Sequence, residues 1–292
     1  MNSIASFLKR KDIVFTKQRY LYDSMSYMAF GLFASLIIGL ILRTMGEQLY
    51  SAAPGAAAEF LMHIGSTAMG LMGAAIGVAV ASSLKVPPLV LFSSTASGAL
   101  GAVLGGPAGA YCAACVGAEF GKAISKETKL DILLTPATTI IFGGLAAASL
   151  GRLLDFLMRG FGQIVMNATE LQPFLMGIIV SVVIGVVLTT PIFSSTALCI
   201  MMNISGLAAG AATVGGACHM IGFAVTSFKD NRMGGLFAQG LGTSMLQIPN
   251  VMKNWKILLP SIFASAILGP LATTVFGMTN VPHGAGRELP VL

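Results

Sequence analysis

Long apolar runs separated by short polar or basic breaks dominate the chain. Residues 25–42, 132–150, 174–190 and 257–278 are the clearest, close to the ~20 apolar residues that cross a bilayer. Another run, 60–84, lies between the small, turn-forming stretch 46–59 and Lys85. Residues 86–123 are apolar throughout but broken by Pro87-Pro88 and Gly105-Gly106-Pro107, and the halves 88–104 and 107–123 are each short for a crossing. Interrupted segments of this kind are tolerated at membrane depth only where protein or a water-filled cavity covers them. The pattern predicts a broken or re-entrant pair there. Two ordinary helices packed through Gly/Ala faces are the alternative.

The pattern is also written twice. Leu71-Met72-Gly73 leads through Pro87 to Phe92-Ser93-Ser94-Thr95 and then to Pro107-Ala108-Gly109-Ala110. Leu175-Met176-Gly177 leads through Pro191 to Phe193-Ser194-Ser195-Thr196 and then to Ala208-Ala209-Gly210-Ala211. Phe30-Gly31 and Phe142-Gly143 head the two copies. Each copy holds an even number of crossings, so both face the same way, as in parallel rather than inverted repeats. The expected architecture is an all-α polytopic membrane protein of about 8–10 membrane segments with Gly/Pro-broken or re-entrant helices. Residues 1–24 form a basic N-terminal segment, 25–130 the first repeat and 131–230 the second. A Gly-rich element and a last span occupy 231–278, and a polar tail 279–292. Within the second repeat, 152–163 alternates charge and bulk like an interfacial helix.

Composition agrees. Hydrophobic residues make up 55% and charged residues 10%, against about 25% charged in soluble domains. The first apolar run begins too late and is too long for a cleavable signal. The net charge of +6 is clustered: Lys9, Arg10, Lys11, Lys17 and Arg19; Lys122, Lys126 and Lys129; Lys229, Arg232, Lys253 and Lys256. Short basic loops stay on the cytoplasmic side, which places the N-terminus in the cytoplasm. No aromatics interleave with these clusters, so nucleic acid is not an expected partner. The lipid bilayer is. Cys112 and Cys115 have metal or redox spacing but no second ligand pair, and the cysteines read as packing residues. No Walker A, dinucleotide or zinc signature is present, so no cofactor, metal or catalytic centre is expected.

Ionisable groups within spans are functional candidates. Glu119 and His219 occupy near-equivalent places in the two copies and are placed across a central pocket, where they would hydrogen-bond a polyol or relay a proton. The alternative puts both at the interface, paired with Lys122 and Lys229. Thr169, Glu170 and Gln172 bunch before Pro173 at the start of a span. Proline suits a first helical turn, and a helix N-terminus favours anionic or hydroxyl ligands. The alternative is a helix cap. The hydroxyls of Ser93, Ser94 and Thr95, and of Ser194, Ser195 and Thr196, line a hydrophilic path or bond back to their own helices. Asn203, Gln239, Gln247 and Asn250 are uncharged hydrogen-bonding groups suited to a sugar-like solute.

The runs GAAIGVAVASSLKVPPLVLFSS (73–94), GGPAGAYCAACVGAEFGK (105–122), ATELQPFLMGIIVSV (168–182), SGLAAGAATVGG (205–216) and AQGLGTSMLQIPN (238–250) resemble a bacterial membrane-protein family. It is related to the IIC subunits of the phosphoenolpyruvate-dependent sugar phosphotransferase system and includes perfringolysin O regulator-like proteins. The resemblance covers about residues 25–285. It implies a permease in the bacterial inner membrane that binds a sugar or similar small polar solute and moves it inward. It also implies IIB and IIA proteins acting in trans, and a homodimer. IIC subunits often use a Glu in a Thr/Ser-Glu context, which Thr169-Glu170 matches. An uncoupled or proton-coupled carrier or channel of the same fold is the alternative, and a membrane sensor or regulator another.

Overall fold

The computed structural model describes residues 3–190, 198–199 and 202–285. Among them there are helices and one isolated bridge, Gly206 with Asn280, but no strand. The chain divides into two compact units, Met1–Arg152 and Leu153–Leu292.

The first unit is a run of antiparallel helical hairpins. A short helix α1 (Ser3–Arg10) precedes α2 (Gln18–Ala52). A turn at Ala53 leads back into α3 (Ala56–Gly70) and α4 (Met72–Ser83), which meet at a 49° bend. Gly39 on α2 faces the carbonyl oxygen of Gly65 at 2.7 Å from where its Cβ would stand, and Gly31 faces that of Ala75 at 2.8 Å. Helix α2 therefore touches both α3 and α4 backbone to backbone. Lys85 in the left-handed region (φ 55) and the extended Pro87 reverse the chain, and Pro88 occupies the first turn of the next helix.

Helix Pro88–Ile124 is continuous as a hydrogen-bonded run, but Gly105 and Gly106 leave helical geometry, Gly106 at φ +59 where a side chain would be strained. The arms α5 (88–104) and α6 (107–124) fold back on one another: Gly101 lies against Gly109 and Ala113, and Gly117 against Ser97. Pairs whose numbers rise on one arm and fall on the other define an antiparallel hairpin, so this is not one long span. Each arm is about 26 Å at 1.5 Å per residue, just short of a hydrocarbon core of about 30 Å. α5 packs on α4 through Gly73, Gly77 and Gly98; a Cβ on Gly98 would meet the Gly77 Cα at 2.6 Å. Helix α7 (Asp131–Thr169) contributes its residues up to Arg152 to this unit. There Phe142 stacks on Phe120 with centroids 4.0 Å apart, and Ser97 donates to the Thr139 carbonyl at 3.0 Å.

In the second unit the remainder of α7 leads to α8 (Pro173–Thr189), and later come α9 (Gly206–Thr226), α10 (Phe228–Phe237), α11 (Ile248–Lys253) and α12 (Trp255–Val275). Gly215 lies against Ser181, and His219 against Gly185 and Thr189, so contacts advance together and α8 and α9 run parallel. α12 runs antiparallel to α8, with Ser181 donating to the Ser265 carbonyl at 2.8 Å and Thr273 to that of Pro173 at 2.8 Å. Val165, Met176, Val180, Ile184, Leu198 and Ile204 form the centre of its core. Between α10 and α11 the backbone passes through a π turn (Ala238–Gly242) and a 3₁₀ turn (Ser244–Gln247), the latter with Thr243 as its cap.

Gln18–Ala52, Asp131–Leu150, Gly206–Thr226 and Trp255–Val275 are each long and apolar enough to cross a membrane, as is the bent α3–α4 pair taken as one span; Pro88–Ile124 is as apolar but folded into its hairpin. The protein is an all-α polytopic membrane protein.

Because α4 and α5 meet backbone to backbone, Gly77→Val would drive a side chain into the Ser94 carbonyl. A loss of about 1–3 kcal/mol is expected, as for other overpacked sites. Gly70→Ala, which meets nothing within 4 Å, should be tolerated. Thermal unfolding of the two purified variants in detergent provides the comparison.

Candidate functional site

Three groups of polar residues stand out. The first surrounds Glu119 in unit 1. The i and i+3 spacing on α6 sets Lys122 beside Glu119, with the ammonium 3.1 Å from Oε2. Oε2 receives no aligned hydrogen bond, so this contact is electrostatic. Oε1 accepts from the Tyr20 hydroxyl at 2.6 Å, and Tyr111 donates to the Tyr20 carbonyl. Lys122 Nζ donates to the carbonyls of Asp12 (2.8 Å) and Leu84 (3.2 Å). Two carbonyls thus take two of its three donors, and the Glu119 carboxylate balances its charge. Glu119 and Lys122 are 8% and 2% exposed, a burial that a charged pair tolerates only when its donors and acceptors are matched.

The second group lies in unit 2 where α8 and α9 end. His219 is fully buried, and its Nδ1 shares a hydrogen bond of 2.8 Å with Thr189 Oγ1. Thr189 reaches Ser244 at 3.1 Å. Nε2 of His219 has no partner and presses toward Gly185, where a Cβ would stand 2.8 Å away. The irregular stretch after α10 adds buried Gln239, Thr243 and Gln247. Gln239 accepts from Ser227 at 3.3 Å, and Gln247 from Asn250 at 2.9 Å. Asn250 itself is exposed.

The third is a cleft of about 310 Å³ at the opposite ends of the same two helices, lined by Thr169, Leu171, Pro173, Met176, Ser205, Leu207 and Ala208. Pro173 occupies the first turn of α8 with Gln172 before it, and Ser205 precedes α9. Neither Gln172 nor Ser205 caps its helix with its side chain. Two parallel helices therefore open onto one cleft, and their free N–H groups and dipoles favour oxygen-rich or anionic ligands. Glu170 and Gln172, chain neighbours of the lining residues, are exposed, and Thr169 donates to its own helix at the Met166 carbonyl, 2.6 Å away. The lining is mostly apolar, with Thr169 and Ser205 as its hydroxyl residues.

Other candidates are placed differently. Ser93 and Ser94 are buried and bond back to Leu89 and Val90 at 2.8 and 2.7 Å, and Thr95 to Phe92 at 2.6 Å. Asn203 is exposed and takes the left-handed turn (φ 49) before α9. Ser194, Ser195 and Thr196 lie outside the described residues. Sequence reasoning missed Tyr20, Tyr111, Thr189 and Ser244. Tyr20 sits in a stretch that reads as a solvated basic segment, and only Thr189-Thr190-Pro191 at the end of a span carried a signal for Thr189.

Apolar helices with ionisable and amide groups buried among them are those of a polytopic membrane protein with a polar interior. The chain matches the family described as Phosphotransferase system, EIIC, over residues 22–290. It belongs to that family, whose members work with IIA and IIB proteins in sugar transport. Neither the curated proteins nor the solved structures give a match.

Lys122→Met would leave the Glu119 carboxylate buried without its counter-charge. A loss of about 3–5 kcal/mol is expected, and the double variant Glu119→Gln, Lys122→Met should recover most of it. Thermal unfolding of the four members of this cycle measures the coupling.

Proposed function

We propose that this chain binds a sugar or similar small polar solute in the cleft at the start of α8 and α9, and moves it inward. The observation that carries this reading is the convergence of two uncapped helix starts on a cleft of about 310 Å³. That volume lies at the lower end of small-molecule sites. Thr169 and Ser205 line it, and Glu170 and Gln172, chain neighbours of the lining residues, supply acceptors and donors for hydroxyl groups. His219, Gln239, Ser244 and Gln247, at the far end of the same helix pair, form a second polar station on the inward path. A IIB protein in trans phosphorylates the solute. The protein works as a homodimer in the bacterial inner membrane with its N-terminus in the cytoplasm, where the basic clusters belong. The two copies of the sequence pattern are repeats of one plan. The ends of α4 and α6 meet through Leu84 and Lys122 as those of α8 and α9 meet through Thr189 and His219, which supports that reading.

A second reading, proton-coupled transport without phosphorylation, is favoured by Glu119 and the unpartnered His219 nitrogen, both ionisable groups inside spans.

Thermal-shift screening of the purified protein against sugars, polyols and small acids tests the site. A ligand at a hundredfold excess over its Kd stabilises by about 2.7 kcal/mol. Glu170→Gln should abolish that shift, whereas a variant keeping the full shift removes Glu170 from the site. Uptake into vesicles separates the readings: dependence on a IIB protein and phosphoenolpyruvate supports the first, and dependence on a proton gradient alone the second.

A further inference from the structure

Of the three donors on the buried Lys122 ammonium, one is satisfied from outside the helical hairpins. Its acceptor is the carbonyl of Asp12, at 2.8 Å, in the segment between α1 and α2. Asp12 is in the left-handed region (φ 52), a conformation that costs a non-glycine residue about 1 kcal/mol or more and that turns this segment back over the end of α6. Ile13 is its buried apolar residue (7% exposed). Next to it Phe15 stacks on Tyr20, centroids 6.0 Å apart, and Tyr20 is the residue that bonds Glu119.

What holds this segment down is mostly charge. Lys11 lies 2.6 Å from Glu127 and also donates to the Ser125 carbonyl, and Arg10 lies 2.7 Å from Glu127. Asp12 pairs with Arg19 at 2.8 Å. Val14, Phe15, Thr16 and Lys17 are exposed. Among the described side chains from residue 6 to 16 only Ile13 is a buried apolar group, with Phe7 and Leu8 half-buried. A segment held this way by partly exposed ion pairs belongs to the low-stability end of a structure, the part that opens without global unfolding. Its release leaves Lys122 short of an acceptor, and water must replace it.

We propose that residues 3–16 are a releasable strap that keeps the Glu119–Lys122–Tyr20 cluster dry, and that the pairing of Lys11 and Arg10 with Glu127 is its latch. With the strap down, unit 1 is closed at its basic end. With the strap lifted, water reaches the ion pair. This is a gate on the first unit and does not depend on where the solute binds. Hydrogen bonds from Arg19 and Lys11 hold the Asp12 and Glu127 carboxyls below the ordinary carboxylate range. Both therefore stay charged at neutral pH, and the pairs weaken only as the pH falls through those lowered values. Salt, which screens exposed pairs, is the lever near neutrality.

Ser125, 4% exposed and directly beneath the latch, reports on the strap. In the full chain with its four cysteines replaced, Ser125→Cys is labelled with a bulky charged maleimide in detergent. Labelling should be slow at low salt and rise about tenfold on Glu127→Lys, the factor two surface ion pairs are worth together. Adding Lys11→Glu to that variant should restore slow labelling. Equal rates with and without Glu127→Lys overturn the proposal, as does a double variant that labels as fast as the single one. Should Glu127→Lys fail to fold, a salt series on Ser125→Cys alone decides. Labelling that accelerates with salt supports the strap, and a rate indifferent to salt sinks it.

Discussion

Lipid offers neither hydrogen bonds to an open backbone nor a hydrophobic force between helices, and both units are built around that constraint. Helices must satisfy their own backbone and then attract one another by close contact alone. Here the contact is made through missing side chains. Gly39 against Gly65, Gly98 against Gly77 and Gly215 against Ser181 bring backbones together within each unit. Hydroxyls are spent inside this packing as well: Ser97 on the Thr139 carbonyl, Ser181 on that of Ser265, Thr273 on that of Pro173. The same small residues that permit close approach leave no slack, and so the few larger polar groups that remain are conspicuous.

Those groups are handled in two ways. Unit 1 buries a charged pair and surrounds it with acceptors, one from a segment held mostly by exposed ion pairs. Unit 2 buries an imidazole among hydroxyls and amides and leaves one ring nitrogen without a partner. A buried polar atom left unmatched is costly, and in native structures such atoms are rare. The irregular backbone between α10 and α11 adds to this, because π and 3₁₀ turns free backbone groups that membrane protein interiors otherwise keep paired. These are the polar groups that the helices of each unit leave available.

Some of this arrangement was legible beforehand. Gly105-Gly106-Pro107 announced the break in the third hydrophobic region because glycine adopts the turn without strain and proline suits the start that follows. Pro173 announced the start of α8 for the same reason. The Glu119–Lys122 pairing stood in the sequence as the alternative to a place across a pocket from His219. His219 drew attention as an ionisable group in an apolar run, but its partner Thr189 lies thirty residues away, and no local pattern links them. Tyr20 was hidden differently: a basic, partly amphipathic N-terminal stretch reads as solvated, and nothing in it says that it folds back onto a helix end a hundred residues later. The Ser93-Ser94-Thr95 hydroxyls show the opposite case, where a suggestive cluster is absorbed by its own helix carbonyls.

By itself the sequence determined that the chain is a helical membrane protein of this family, where its helices break, and which ionisable residues fall inside apolar runs. Hydropathy, glycine and proline act over a few residues, and that range is enough for such conclusions. The tertiary structure decided that 88–124 is a hairpin, that α8 and α9 run parallel with their starts on one cleft, and that Asp12 completes the shell of Lys122. Each of these depends on which backbones approach closely enough to touch, a property of three-dimensional packing between residues far apart in the chain.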